Sequence, residues 1–195
     1  MQLSAMRDYV RNVVDISSND ISDATMNTFI REGYDIIVYS EKRWPFYEVS
    51  TTFSTVADQA DYPMSDVAAA LSFVHDGVTF SGVSAPSNVG MREVAAMKTD
   101  NHVMQYIGYD VADIIYPLDS NSVGRPWYWT MWNSGVSAST AVNSQTVRVY
   151  PTPGEVQTIT VRGYRNPVDF GGTVAVYRTA IADANTPDLP VPFDN

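Results

Sequence analysis

Apolar residues recur at three- and four-residue intervals near the start of the chain and at two-residue intervals further on. Leu3, Met6, Val10, Val13 and Val14 predict a first helix of three or four turns. The polar run Ser17-Ser18-Asn19-Asp20 ends it. Met26, Ile30, Gly33 and Ile37, with Phe29, Tyr34 and Ile36 beside them, predict a second helix. Asp20 or Ser22 is placed to cap it, and Asp23 in its first turn suits the helix dipole. Pro45 cannot continue that helix and drives Trp44 out of the α region, so Arg43-Trp44-Pro45-Phe46 is an enforced stop. Residues 1–45 therefore read as an antiparallel helical hairpin. Such a hairpin is marginal alone, so its apolar stripe must lie on a β-domain or on neighbouring subunits.

From Tyr47 the period becomes two. Tyr47, Val49, Thr51, Phe53 and Thr55 share one face, and Glu48, Ser50, Thr52 and Ser54 the other. Residues 57–61 read as a turn, after which Tyr62-Pro63-Met64 is extended. Two β-rich runs, 71–74 and 78–80, flank His75-Asp76-Gly77, a strong hairpin signal. Met91 to Lys98 reads as a short helix, and Asp100 as the cap of another that reaches about Gly108. A loop is expected from Asp110 to Arg125. Strands are expected at 127–132, 145–150 and 156–164, with an edge strand at 173–177, while the proline-rich tail 185–192 cannot be helical. The predicted fold is α+β: an N-terminal helical hairpin packed on an antiparallel β-sandwich or barrel-like sheet (46–195), with a small helical insert at about 91–108.

Composition narrows the function. A chain of 195 residues that is 45 % hydrophobic suits one compact unit, burying roughly 70 % of its unfolded surface. With no cysteine there are no disulfides and no thiolate metal ligands. Charges at Arg7, Asp8 and Arg11 leave no room for a secretory signal near the start, and the longest apolar run, 67–74, is too short to span a bilayer. No membrane association and a cytoplasmic site of synthesis are expected. The net charge is −10, and the 12 Lys and Arg residues are scattered singly, which argues against a phosphate-gripping surface.

No catalytic constellation emerges. His75 and His102 are distant and lack metal-ligand spacing, so no metal is expected. There is neither a G-x-S-x-G elbow nor a glycine-rich phosphate loop. No cofactor and no enzymatic activity are expected. The cluster Trp127-Tyr128-Trp129-Thr130-Met131-Trp132 puts Trp127 and Trp129 on one strand face and Trp132 on the other. A sugar platform would line its rings along one face, whereas this arrangement suits a strand covered on both sides, by core and by an interface. Trp44, Pro45, Phe46, Trp127, Trp129 and Trp132 are thus the candidate packing and interface residues.

Several of these segments carry a resemblance. A helix ending in Arg43-Trp44-Pro45-Phe46 is followed by a Thr/Ser-rich strand and the Tyr62-Pro63 turn. Then come Gly124-Arg125-Pro126-Trp127-Tyr128, Val147-Arg148-Val149-Tyr150-Pro151-Thr152-Pro153, Ile159 to Pro167 and Asp188-Leu189-Pro190. In this order, from about Thr25 to Pro190, they resemble the head-to-tail adaptor (neck or connector) proteins of tailed bacteriophages. The resemblance implies a structural virion protein of the neck, assembled in the host bacterial cytoplasm as a homo-oligomeric ring of twelve copies. Its partners would be the portal protein and a tail or nozzle protein. The ring would line the DNA channel without specific DNA binding and seal the packaged head. Many such adaptors continue beyond the L-P turn into C-terminal helices that enter the portal, whereas this sequence ends at Phe193-Asp194-Asn195, so the portal-facing surface stays unassigned. The alternatives are a carbohydrate-binding β-module using Trp127, Trp129 or Trp132, and another virion part such as a tail-tube or head-completion protein.

Overall fold

The computed structural model describes residues 2–41, 43–75, 78–81, 91–116, 122–136, 143–167 and 188–189. Two helices open the chain, α1 (Leu3–Val14) and α2 (Asp23–Ser40). Helix α1 stops on Asp15, whose left-handed conformation (φ 56°) turns its N–H back to the Arg11 carbonyl. Ser22 caps α2, its hydroxyl accepting from the Thr25 N–H, while Asp20 folds back onto Ser17 within the connecting turn. Arg11 crosses from α1 to Asp23 at 2.6 Å and so ties the two helices at their joined end.

The inward stripe of α2 is Met26, Ile30, Tyr34 and Val38, at four-residue spacing, with Ile30 only partly buried. The helix carries two apolar arcs. The one containing Phe29, Ile36 and Ile37, which the sequence reading merged with the core stripe, faces outward; Ile36 is 71 % exposed. Leu3, Tyr34, Val38 and Tyr47 form the centre of the hairpin core, with Met6, Trp44, Phe46, Tyr164 and Leu189 packed around them.

The strands are β1 (Glu48–Ser54), β2 (Asp61–Pro63), β3 (Ser72–His75), β4 (Val78–Ser81), β5 (Met91–Thr99), β6 (Val103–Tyr106), β7 (Val123–Gly124), β8 (Tyr128–Val136), β9 (Asn143–Tyr150), β10 (Thr152–Pro153) and β11 (Thr158–Arg165). Helices α3 (Met64–Val67) and α4 (Tyr109–Ile115) and a one-turn 3-10 helix (Pro45–Tyr47) complete the described elements. Seven strands form one sheet in the order β1-β11-β5-β6-β8-β9-β2. It is antiparallel except where β6 meets β8. The first and last strands of this order are consecutive in the chain, and the curl of the sheet brings side chains of the two together across the core. Phe53 of β1 and Tyr62 of β2 stand 5.1 Å apart, and the Tyr62 hydroxyl bonds the backbone of Val56 and Gln59 in the linking turn. The concave side of this half-barrel holds Val94, Met97, Met104, Trp129, Val147, Val149, Ile159 and Val161, and Val67 and Ala68 belong to the same cluster. Strands β3 and β4 pair as a separate hairpin, as the Asp-Gly signal predicts.

The α+β class, the helical hairpin and the curled antiparallel-rich sheet agree with the sequence reading. The helical insert at 91–108 does not. Residues 91–99 and 103–106 are strands of the main sheet, and the helix occupies Tyr109–Ile115, almost all of it within the segment from Asp110 expected to be loop. The cause is legible in the pairing. Gly163 faces Val94 while Arg162 faces Ala96, and Arg165 faces Met91 while Tyr164 faces Glu93. Ala95 and Arg92 are therefore extra residues, two bulges three positions apart. They space the buried Met91, Val94 and Met97 at helical intervals within a strand. Likewise His102 lies in the turn between β5 and β6 rather than in a first helical turn. The edge strand expected at 173–177 lies outside the described residues, as does most of the 185–192 tail.

Candidate interface site

The helix-to-sheet junction is held by several independent contacts. Trp44 and Pro45 open a one-turn 3-10 helix, Pro45–Tyr47, with Pro45 in its first turn. Trp44 is half-buried; its Nε1 donates to the Ile37 carbonyl at 3.2 Å, and its ring stacks on Phe46 at 5.3 Å. Phe46 meets Tyr47 edge-on at 4.5 Å. Pro45 is exposed and makes the bend rather than the core. Two consecutive residues of β5 clamp the end of α2. Arg92, the bulge residue, donates to the Val38 carbonyl and lies over the Tyr39 ring, and Glu93 takes the Arg43 guanidinium at 2.6 and 3.0 Å. The sequence reading singled out the aromatics here and missed Arg92 and Glu93, whose role depends on a bulge invisible without the partner strand.

The tryptophans of the second candidate group are not equivalent. Trp129 is 3 % exposed, in the sheet core, with Tyr106 edge-on at 4.9 Å. Trp132 is half-buried, stacked on Tyr109 of α4 at 5.8 Å, with the Arg148 guanidinium 5.9 Å from its ring. Trp127 precedes β8, is 52 % exposed, and stacks on His102 at 4.1 Å. His102 is pinned by Thr99 Oγ1 at Nδ1 and by the Pro126 carbonyl at Nε2. A neutral ring satisfies both contacts when Nε2 carries the proton and Nδ1 accepts from the threonine hydroxyl. The junction group and the β8 group thus form separate clusters, and the three β8-region rings do not line one open face.

Among the described residues, exposed apolar side chains also occur on α1 and β6, and two helical groups of them stand out. One is the outer arc of α2, with Phe29, Ile36 and Ile37; the other is α4 with Ile114 (78 % exposed), Ile115 and Val111. Among the described residues, no group of three or more His, Asp or Glu side chains gathers as a metal site.

A third feature was not anticipated. Arg165, at the end of β11, is buried and grips Asp188 through two hydrogen bonds, while the Asp188 carbonyl accepts from the Tyr47 hydroxyl at 2.9 Å. Burial pushes the phenols of Tyr34 and Tyr47 well above their ordinary pKa. Arg165 and Asp188 both occur in the motifs read from the sequence, but nothing local signals that they pair.

The architecture is α+β, with a helical hairpin clamped to a curled sheet and exposed apolar side chains on two of its helices. Residues 1–194 match the family model of the SU10 adaptor protein, and the chain belongs to that family. It is accordingly an adaptor, a structural component of the bacteriophage virion, of the kind that assembles with other virion proteins. A comparison with curated proteins found no match.

Proposed function

We propose that this chain forms a ring of twelve copies in the virion neck, joining the portal to the tail or nozzle protein. The ring lines the DNA channel, seals the packaged head and offers the tail its docking surface, without catalysis or cofactor. Family membership across residues 1–194 carries the reading. The exposed arcs of α2 and α4 support it, because head-to-tail contacts that close a ring need two different complementary patches on each copy. Trp127 serves at such a contact, while Trp44, Phe46, Trp129 and Trp132 set the geometry of the elements behind it. The charge of −10 suits a wall past which DNA slides, with Lys98 and Arg162 as exposed cations that bind no carboxylate among the described residues. The sugar-binding alternative is disfavoured, because a platform needs aligned open rings and Trp129 is buried.

Deleting the gene tests the function. Full-size heads that lose their DNA and carry no tails are expected by electron microscopy. Normal tailed particles, or no heads at all, would move the protein elsewhere in the virion or outside it.

A further inference from the structure

We propose that the surroundings of Arg165 form a peptide-binding cradle for an acidic residue followed by an aliphatic one, filled in this chain by its own Asp188-Leu189. The inference is independent of the adaptor reading.

The cradle is assembled from elements remote from its occupant. Arg165 comes from the last residue of β11, and its guanidinium lies between the Phe73 ring of β3 at 3.9 Å and the Tyr47 ring at 4.8 Å. Two flanking rings fix the guanidinium plane, leaving its edge to meet a carboxylate. Asp188 fills that edge, with Nη1 at 2.5 Å from Oδ2 and Nη2 at 2.8 Å from Oδ1. A bidentate pair of this kind selects for a carboxylate over an amide or hydroxyl. The backbone of the occupant is read as well, because the Tyr47 hydroxyl donates to the Asp188 carbonyl and the Tyr34 phenol takes a backbone hydrogen bond from Asp188. The following side chain, Leu189, packs with the cluster of Leu3, Tyr34, Val38 and Tyr47. Carboxylate, carbonyl and aliphatic group are thus each recognised, across two adjacent residues.

Occupancy is favoured in physical terms. With the cradle filled, Arg165 and Asp188 are each 7 % exposed; emptying it takes the carboxylate from a guanidinium held between two rings, with the Asn166 carbonyl left as a neutral partner, and this is unfavourable. The pair lies 23 residues apart in sequence, so the occupant is tethered at a high effective concentration and outcompetes a free peptide. A test must therefore disable the built-in occupant first.

The full-length chain carrying Asp188→Asn and Leu189→Ala provides that background. The probe is the synthetic peptide Thr-Pro-Asp-Leu-Pro-Val-Pro, the sequence of residues 186–192. Saturable binding is expected by calorimetry, at least tenfold weaker for the same peptide with Asn in place of Asp, with renewed hydrogen-exchange protection in α2 and the Pro45–Tyr47 turn. If the variant does not fold alone, refolding in the presence of the peptide, and not of its Asn form, is the expected result. The proposal is overturned by a folded variant that ignores the peptide, by equal binding of the two peptides, or by an unfolded variant that neither peptide rescues.

Discussion

Trp44 reaches back over the turn it begins and donates its indole N–H to the carbonyl of Ile37, 3.2 Å away and seven residues earlier. That carbonyl lies in the last turn of α2, where acceptors lack the backbone N–H one turn on, and it shares its second lone pair with the Ser40 hydroxyl at 2.7 Å. Pro45 ends the helix and Trp44 satisfies part of what the ending leaves open, so one short motif both stops α2 and fastens it. Replacing Trp44 with Ala removes the bond and the stack on Phe46. Because the ring is half-buried, the cost should be about 2–3 kcal/mol, below the 3–5 kcal/mol of a fully buried aromatic. Urea unfolding of Trp44→Ala beside Trp44→Phe checks this, the Phe form retaining most of the packing. An unchanged midpoint for Trp44→Ala would mean the indole does not fasten the hairpin.

Gly163 of β11 lies between the two register shifts against β5. A Cβ added there would sit 2.1 Å from the Glu93 carbonyl oxygen and 2.5 Å from the Met91 side chain. The first is backbone and cannot move without disturbing the bulges at Arg92 and Ala95. Gly163→Ala should therefore destabilise by about 3 kcal/mol, the upper end for overpacking, and should loosen the Arg92 and Glu93 clamps on α2 with it. Equilibrium unfolding, with hydrogen exchange on α2, is the measurement; a stable variant with normal exchange would show that β5 and β11 are not so closely held.

These two sites also mark what was legible in the sequence. The hairpin, the Trp44-Pro45 stop and the alternation of β1 follow from local rules, since helix period, proline chemistry and strand period act within a few residues. Strand β5 escaped because its bulges arise only against β11, and they gave Met91, Val94 and Met97 a helical spacing. Helix α2 was recognised but rotated, since two apolar arcs compete on it and only the tertiary partner decides which is buried. Arg165 and Asp188 were visible as residues and invisible as a pair, because a contact across 23 positions leaves no periodic trace.

Alkaline titration should reveal the buried phenols. The folded pKa values of Tyr34 and Tyr47 are raised, chiefly by burial, above the ordinary value of about 10. A raised phenol pKa means stability that is intact below pH about 10 and is lost as pH climbs above it, since the unfolded chain ionises first. Most of the 12 tyrosines should titrate reversibly, with the last phenolates appearing together with loss of secondary structure. A single reversible transition of all tyrosines in a folded protein would contradict their burial. At the acid end the sign reverses. Asp20, held low by Ser17, and Asp23, held low by Arg11, favour the folded hairpin above the ordinary aspartate range and cease to do so as pH falls through it.

The last prediction concerns assembly. Ile36 on α2 and Ile114 on α4 are 71 % and 78 % exposed, so neither side chain contributes much to the stability of a single copy. Ile36→Glu and Ile114→Glu should each shift monomer stability by no more than about 0.5 kcal/mol, the usual range for surface positions. A ring is different, because the same patch is used once per copy and a carboxylate buried there without a partner is costly at every contact. Each variant should therefore stay folded by circular dichroism yet fail to form the ring that the parent chain builds with portal present, as read by light scattering. Mixing the two variants gives a sharper result. In a head-to-tail ring, a copy with an intact α4 surface can meet one with an intact α2 surface, so the mixture should yield pairs and no closed ring. Assembly by both variants as well as by the parent would remove these arcs from the interface, and a parent chain that stays monomeric with portal at high concentration would remove the ring itself.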